Sequence, residues 1–216
     1  MIENNDRVFV IDTGPDFRQQ MLRAKASRLD AVIFTHQHKD HTAGFDDIRG
    51  FNFKMKCAID VYCTSSVLES LKREFSYIFS PLKYPGIPEV NMHVIRNETF
   101  SVAGTSFVPI EVYHHMLPVY GYRIGNFTYI TDANFIQEDQ KEKIRGSEVI
   151  VLNALRREYH LSHFTFKEAV TLLEELQPKK AYLTHISHQL GLHREVEKEL
   201  PEFISLAYDG LEIEML

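Results

Sequence analysis

Short apolar runs alternate with helix-forming stretches along most of the chain. Five of these runs are four or five residues long and end at polar or charged residues, which is typical of buried strands: 8–11, 31–35, 59–63, 148–152 and 180–184. Four helices are predicted between or after these strands: about 17–25, 42–55, 166–176 and 192–199. Asp16 and Thr165 are predicted N-caps, and Ser65 or Ser66 is predicted to cap a further helix.

The central part of the chain alternates apolar and polar positions, which predicts antiparallel strands: 91–95, 99–102, 106–113, 120–124 and 127–131. The stretch 206–216 predicts a hairpin that turns on Asp209-Gly210. Between these regions, 80–88 carries several prolines and a glycine and predicts a loop, either an active-site lid or a connector.

Two groups of strands with helices between them predict an α+β fold, a four-layer αββα sandwich. The chain has no internal repeat, low-complexity segment or linker, so residues 1–216 are predicted to form one domain. The length of 216 residues is sufficient for a sizeable core.

Composition narrows the class of protein. A 44% hydrophobic and 25% charged composition is that of an ordinary globular protein, and no apolar run approaches the roughly 20 residues that cross a membrane. The N-terminus lacks signal-peptide character and the chain has two cysteines, so a reducing cytoplasm is predicted. A net charge of −6 argues against a dedicated nucleic-acid surface.

The stretch 35–41, Thr-His-Gln-His-Lys-Asp-His, follows the strand 31–35 and is the strongest chemical signal in the chain. In an extended segment His36 and His38 project to the same face. If a helix begins near Asp40, then Asp40 and His41 reach a neighbouring point. The sequence therefore predicts two nitrogens for one metal ion and a carboxylate with an imidazole for a second. The alternative is a cluster of surface histidines.

Three further strand ends carry candidate ligands. His114 ends the strand 106–113 on its inward face and is preferred over His115 as the third ligand of the first ion. Asp132 ends the strand 127–131 and is the natural bridge between two cations, although a turn aspartate is common there. His185 ends the strand 180–184 and completes the second site. Asp12 also ends a strand and is interpreted as structural, orienting the loop that holds His36 and His38.

The pattern H-x-H-x-D-H at 36–41 resembles the signature of the metallo-β-lactamase superfamily. Further stretches resemble its phosphodiesterase branch, in particular the PhnP-like phosphoribosyl cyclic phosphate phosphodiesterases, over about residues 8–215: Gly121-Tyr122, Thr131-Asp132, 184–189 and 208–213. The resemblance implies two divalent ions, zinc or manganese. It implies as their ligands His36, His38, Asp40, His41, His114, Asp132 and His185, with His163 as an extra catalytic histidine.

The chain departs from the family pattern in two places. Only about seven residues precede the strand ending in Asp12-Thr13-Gly14, where the resemblance implies earlier strands. Either the chain is truncated at its N-terminus or another segment covers this sheet edge, and an incomplete first sheet is predicted. His188 occupies the position of a structural-zinc histidine, but the cysteine cluster that completes that zinc site is absent from the sequence.

The implied reaction is hydrolysis by a metal-bridged hydroxide that attacks a phosphodiester, here of a cyclic ribose phosphate. Asp40 is a ligand and a candidate proton acceptor. His163 would protonate the leaving oxygen or bind a phosphoryl oxygen, unless it is one of two surface histidines in a loop. Arg18, Arg156 and Arg157 could meet phosphate or simply be solvated. The predicted partner is a small phosphorylated substrate, and the apolar stretch 206–216 would support a homodimer.

Three other functions compete. A thioester or lactone hydrolase of the same fold remains open, because metals alone do not choose between carbon and phosphorus centres. A ribonuclease Z-like nuclease would need a protruding arm and a basic surface, and the sequence shows neither. A non-catalytic binding or scaffold protein would be expected to have lost ligands, and a measurement of bound metal separates that class.

Overall fold

The computed structural model describes residues 1–82 and 84–215. The chain divides into two compact units, Met1–Arg96 with Ser101–Thr105 and Asn97–Phe100 with Ser106–Leu216. One domain over residues 1–216 stays a prediction. Among the described residues, no helix combines the length and apolarity that crossing a bilayer requires.

The first unit contains a sheet with the strand order β1-β2-β3-β4-β5. Its strands are β1 (Ile2–Asn4), β2 (Arg7–Ile11), β3 (Ala31–Ile33), β4 (Ile59–Cys63) and β5 (Val90–Val94). Strands β2 to β5 are parallel to their neighbours, and β1 is antiparallel to β2. Its helices are α1 (Phe17–Arg23), α2 (Lys39–Thr42), α3 (Arg49–Met55), α4 (Ser65–Glu74) and α5 (Ser76–Phe79). Helix and strand side chains form one buried cluster that includes Phe17, Phe34, Phe45 and Val61.

Three details of the first unit differ from the sequence predictions. The single helix predicted over 42–55 is wrong: α2 ends at Thr42, a 3₁₀ turn follows at Phe45–Ile48, and α3 begins at Arg49. The predicted antiparallel direction of β5 is also wrong, because α4 and α5 form a crossover that makes β5 parallel to β4. The cap of α4 is Thr64, whose hydroxyl accepts from the Val67 N–H at 3.4 Å.

The helix break has a physical cause at Gly44. The Gly44 N–H donates to the Thr13 carbonyl at 2.9 Å instead of continuing the helix. A Cβ on Gly44 would lie 2.3 Å from the Gly14 carbonyl oxygen and 2.7 Å from the Phe17 Cβ. Because the turn after β2 comes this close, only glycine fits at the break.

The second unit contains a sheet with the strand order β10-β7-β8-β9-β11-β12-β13. The chain first forms the short strand β6 (Phe100–Val102) and then the strands of this sheet: β7 (Thr105–His114), β8 (Leu117–Ile124), β9 (Phe127–Ile130), β10 (Phe135–Ile136), β11 (Val149–Asn153), β12 (Lys180–Thr184) and β13 (Ile204–Leu206). Strand β8 is antiparallel to both of its neighbours, β7 and β9, whereas β9, β11, β12 and β13 are parallel.

The helices of the second unit are α6 (Glu138–Ile144), α7 (Phe166–Leu176) and α8 (His193–Val196). Helix α7 begins with a capping box, in which Thr165 and Glu168 each satisfy the other's backbone N–H. This confirms Thr165 as the predicted cap. Asp16 takes the N-cap position of α1, but its side chain makes no capping hydrogen bond.

Two predictions for the second unit need correction. The hairpin predicted over 206–216 is wrong: β13 pairs in parallel with β12, and no strand follows it among the residues described up to 215. The predicted turn is present, since the Leu211 N–H donates to the Tyr208 carbonyl at 3.0 Å. The helix predicted over 192–199 is α8 followed by a 3₁₀ turn at Glu197–Glu199. Leu216 of the predicted hairpin and Lys83 of the predicted loop 80–88 lie outside the described residues.

The predicted α+β class is confirmed, since two sheets are each accompanied by helices. The described residues of the stretch 80–88 contain neither helix nor strand, as predicted. The absence of family strands at the N-terminus stays a prediction.

The close approach at Gly44 generates a stability prediction. Gly44→Ala should lower the free energy of unfolding by about 1–3 kcal/mol, because the added methyl overpacks a rigid backbone contact. Gly50→Ala is the matched control in α3, since nothing lies within 4 Å of a Cβ there. It should instead stabilise the protein by up to about 1 kcal/mol. Urea unfolding of both variants measures the difference, and equal effects would contradict the steric explanation.

Candidate metal centre

The loop after β3 brings His36 and His38 together. The His36 side chain is buried, and its Nε2 lies 3.0 Å from Nδ1 of His38. Two ring nitrogens this close repel each other if both carry only lone pairs. A proton on one of them, or a cation bound to both, removes that repulsion. Two nitrogens bound at about 2.0–2.1 Å to one tetrahedral ion would be roughly 3.3 Å apart, so the spacing suits a shared ion.

Helix α2 presents Asp40 and His41 from its first turn. His38 occupies the N-cap position of this helix, as expected if the chain turns into a helix near Asp40. The His41 Nδ1 lies 2.8 Å from Oδ2 of Asp12, and its Nε2 lies 3.4 Å from Oδ2 of Asp40. A proton on Nδ1 that is donated to Asp12 leaves Nε2 as the atom able to coordinate a metal.

The Asp12 carboxylate forms several hydrogen bonds in this part of the site. Its carboxylate accepts from the backbone N–H and from the hydroxyl of Thr35, both at 2.8 Å, and contacts His41 as well. The contact with Thr35, the residue before His36, shows that Asp12 is bonded to the ligand loop, as expected if it orients that loop. The contact with His41 was missed by the sequence analysis, since it depends on how α2 folds back towards β2.

His114 ends β7 and His115 follows it, and the two histidines have different environments. The His114 Nδ1 lies 2.8 Å from the Ser162 carbonyl, so this nitrogen carries the proton and Nε2 is the atom able to bind a metal. His115 is exposed in the turn between β7 and β8, with φ of 58°, and its backbone N–H donates to Asn134.

Asp132 is nearly fully buried after the end of β9, and two imidazoles contact it. Its Oδ1 lies 3.1 Å from Nδ1 of His185 and accepts from the Thr131 hydroxyl at 2.6 Å. Its Oδ2 lies 3.5 Å from Nε2 of His163. A buried carboxylate is costly unless it is paired or coordinates a metal.

His163 lies in this buried setting and not on the surface. Its ring stacks on His185, with centroids 5.0 Å apart. Its Nδ1 lies 3.1 Å from both the Ser162 hydroxyl and Nδ1 of His160. Burial lowers the pKa of His160 below its usual value, and the neighbouring His163 and Arg156 lower it further. The Ser162 backbone N–H donates to Nδ1 of His160 at 3.3 Å, so this nitrogen is an acceptor and Nδ1 of His163 is the donor in their contact. The other ring nitrogen of His163, Nε2, faces Asp132.

The arginines considered for phosphate binding are engaged in structural contacts. Arg156 donates to Gln189 and to the carbonyls of Glu158 and Tyr159. Arg157 forms a bidentate pair with Glu199 at 2.7 and 2.9 Å. The exposed Arg18 reaches Asp47 at 4.0 Å.

The candidate ligands form two groups in the structure. Within each group, the ligand atoms lie within 4.8 Å of one another. One group is His36, His38, His114 and Asp132, and the other is Asp40, His41, Asp132 and His185. Imidazole with carboxylate is a donor set that zinc, manganese and iron(II) accept. The residues therefore fit a pair of divalent ions chemically, and Asp132 belongs to both groups.

Residues 7–186 match a protein family described as the β-lactamase superfamily domain. The chain belongs to this superfamily. The predicted resemblance is therefore confirmed, as is the prediction of a metal-dependent hydrolase at the level of the family. The superfamily fold implies the use of divalent metal, whose identity and number the comparisons leave open.

Solved structures and a curated relative extend the comparison. A new diphosphatase from the PhnP family is 36% identical, with a TM-score of 0.92 over 99% of this chain and 82% of that one. Human tRNase Z, short form, is 16% identical with a TM-score of 0.72 over 99% and 90% of the two chains, and shows the fold alone. An octanoyltransferase of Porphyromonas gingivalis is 35% identical over 98% of this chain but only 43% of its own length.

Sequence reasoning missed two asparagines in the second unit. Asn153 ends β11 and bonds to the backbone of Ala133, and Asn134 bonds to the backbone at His115 and Leu161. The signal for Asn153 was present, because a polar residue ends the apolar run 149–152. Nothing in the pattern around Asn134 distinguishes it from a loop asparagine.

The hydrogen bonds of Asp12 generate a prediction on metal binding. Asp12→Asn should lower the affinity for zinc or manganese about 10–100-fold, because an amide cannot accept from all three donors and leaves His41 poorly oriented. Competition with a chromophoric chelator measures this affinity.

Asp60→Asn is the matched control. Asp60 also contacts a histidine, with His93 Nε2 at 3.1 Å from its Oδ1, but on the exposed side of β4 and β5. Its affinity should equal that of the wild type. An unchanged affinity in Asp12→Asn would remove Asp12 from the centre.

Proposed function

We propose that the chain is a dinuclear metal-dependent phosphodiesterase that acts on a small phosphorylated substrate, a cyclic ribose phosphate. The observation that carries the proposal is the pair of ligand groups sharing the buried Asp132. One ion would be held by His36, His38, His114 and Asp132, and the other by Asp40, His41, His185 and Asp132. When bound, zinc or manganese ions would supply Lewis-acid activation of water and stabilisation of negative charge.

His163 is proposed as the general acid. Its Nε2 lies 3.5 Å from the shared carboxylate, so a proton there is beside the proposed reaction centre. Ser162 and His160 contact Nδ1 on the other side of the ring and hold the imidazole in orientation. Asp40, which is exposed, is proposed to accept a proton in addition to binding metal.

The choice of phosphorus over carbon is supported by the diphosphatase from the PhnP family, which is 36% identical over nearly the whole chain. The nearby arginines make structural contacts, so they are not needed to meet the charge of a phosphoryl group. A pair of bound cations would supply that charge and could hold the attacking and leaving oxygens of an in-line displacement. The cytoplasmic location and the homodimer stay predictions.

Acyl transfer to water is the second candidate. It is favoured by one finding, the 35% identity to a protein named octanoyltransferase. The chain spans 43% of that relative, so the relative's activity is a property of a longer protein. The same metal and His163 arrangement could in principle open a thioester or lactone, so acyl substrates belong in the same assay.

The test is hydrolysis by protein reconstituted with zinc or manganese. A 2′,3′-cyclic nucleotide, bis(p-nitrophenyl) phosphate, an octanoyl thioester and a lactone are compared at equal enzyme concentration. We expect metal-dependent turnover of the phosphodiesters. Turnover of the acyl substrates alone would favour the second candidate, and turnover of none by metal-loaded protein would refute both.

His163→Ala tests the proposed acid. Its kcat for the cyclic nucleotide should fall by about 10²–10⁴, because the ribose oxygen is a poor leaving group without a proton. The loss should be smaller for nitrophenolate, which leaves readily as an anion. His188→Ala, at an exposed histidine, is the control and should match the wild type. An equal loss on both substrates would contradict the role as acid.

A further inference from the structure

Asn153 makes a two-point contact with the backbone next to Asp132. Its side chain is fully buried at the end of β11. Its Oδ1 accepts from the Ala133 N–H at 2.8 Å, and its Nδ2 donates to the Ala133 carbonyl at 2.9 Å. The pairing of β9 with β11 ends at Ile130 and Leu152, and the Asn153 amide supplies hydrogen bonds to Ala133 beyond that point.

The same position joins the other segments of the site in the second unit. The Ala133 carbonyl also accepts from the Phe164 N–H at 2.7 Å, directly after His163. The Ala154 N–H, next along the chain from Asn153, donates to the Thr184 carbonyl at 2.9 Å, directly before His185. The segments carrying Asp132, His163 and His185 are therefore joined by hydrogen bonds at Ala133 and Ala154, next to Asn153.

Asn134 extends these contacts to His114. Its Oδ1 accepts from the His115 N–H at 2.7 Å, and its Nδ2 donates to the Leu161 carbonyl at 3.1 Å. The next carbonyl along that loop, of Ser162, accepts the proton of His114 Nδ1 at 2.8 Å. Asn134 thus ties the end of β7 to the loop that orients His114.

The backbone here needs such support. Asp132 and His185 have left-handed φ values of 55° and 53°. Non-glycine residues persist in this region only where their surroundings over-determine them. Buried backbone groups that have left the sheet must also find other hydrogen-bond partners. Asn153 supplies one donor and one acceptor to Ala133, directly after Asp132. Asn134 supplies one of each to the backbone at His115 and Leu161.

We propose that Asn153 and Asn134 are positioning residues that set the metal affinity of the centre and the placement of His163. This inference rests on the metal centre of the proposed function. Each asparagine acts through the backbone that carries Asp132, His114 and the loop before His163.

The first experiment measures the zinc and manganese affinities of Asn153→Ala and Asn134→Ala by chelator competition, with melting temperatures of the metal-free proteins. We expect each affinity to fall about 10–100-fold, as for other groups that orient metal ligands. The kcat for the cyclic nucleotide should fall at saturating metal with KM nearly unchanged. Asn134 is only half-buried, so Asn134→Ala keeps the test open if Asn153→Ala fails to fold.

Thr128→Val is the matched control. Thr128 is fully buried on β9, the strand that leads to Asp132, and its hydroxyl contacts that of Ser147 at 2.7 Å. Removing this hydrogen bond should lower the melting temperature while the metal affinity stays at the wild-type value. An affinity loss in Thr128→Val that matches its stability loss would show that any weakening of the sheet has this effect, and would overturn the proposal.

The remaining outcomes are also decisive. Wild-type affinity in both asparagine variants would overturn the inference even if the protein hydrolyses phosphodiesters. A wild-type protein that binds metal without hydrolysing them would refute the proposed reaction, while weakened binding in the variants would still support the asparagines' role. A wild-type protein that binds no divalent ion would overturn both.

Discussion

Three residues that follow parallel strands, Asp12, Asp132 and His185, adopt left-handed backbone conformations with φ of 61°, 55° and 53°. Such conformations cost a non-glycine residue about 1–3 kcal/mol and persist only under strong local constraint. The side chains at these turns reach other segments of the chain: Asp12 contacts Thr35 and His41, and Asp132 contacts His185. The candidate centre depends on these turns, because an extended residue would point its side chain to a face of the sheet.

Hydrogen bonds convert these positions into usable ligands. Asp12 contacts Nδ1 of His41, and the Ser162 carbonyl contacts Nδ1 of His114, so both rings present Nε2. An imidazole coordinates metal only through an unprotonated nitrogen, and the partner on the other nitrogen decides which one that is. The two units use the same device with different acceptors, a carboxylate in one and a backbone carbonyl in the other.

Charge in the site is concentrated in histidine and aspartate. Arg156 and Arg157 are bound to loop carbonyls and to Glu199, and they fasten the segment that carries His160 and His163. In the proposed reaction, divalent ions would therefore neutralise the phosphoryl group, and the arginines contribute rigidity. This division explains how a chain with a net charge of −6 can be proposed to act on an anionic substrate.

The sequence by itself determined the features that depend on neighbours a few residues apart. His36, His38 and His41 lie within six positions of the sequence, so a single loop and helix start can place them in one site. The capping box at Thr165 needs only Glu168, three positions later. Strand ends are also readable, since apolar runs stop at polar residues. These signals predicted the fold class and the seven candidate ligands that lie together in the structure, and metal binding by these residues stays a prediction.

Only the tertiary structure decided features that depend on distant segments. The predicted helix 42–55 is broken because Gly44 meets the turn at Thr13, some thirty residues earlier. The direction of β5 follows from its crossover connection, and β13 pairs with β12 instead of folding back on its own tail. The contacts of Asn153 with Ala133 join residues twenty positions apart. Local periodicity carries no information on these contacts, because each joins backbone groups from segments far apart in the sequence. Which buried backbone groups need such partners is decided only when the chain has folded.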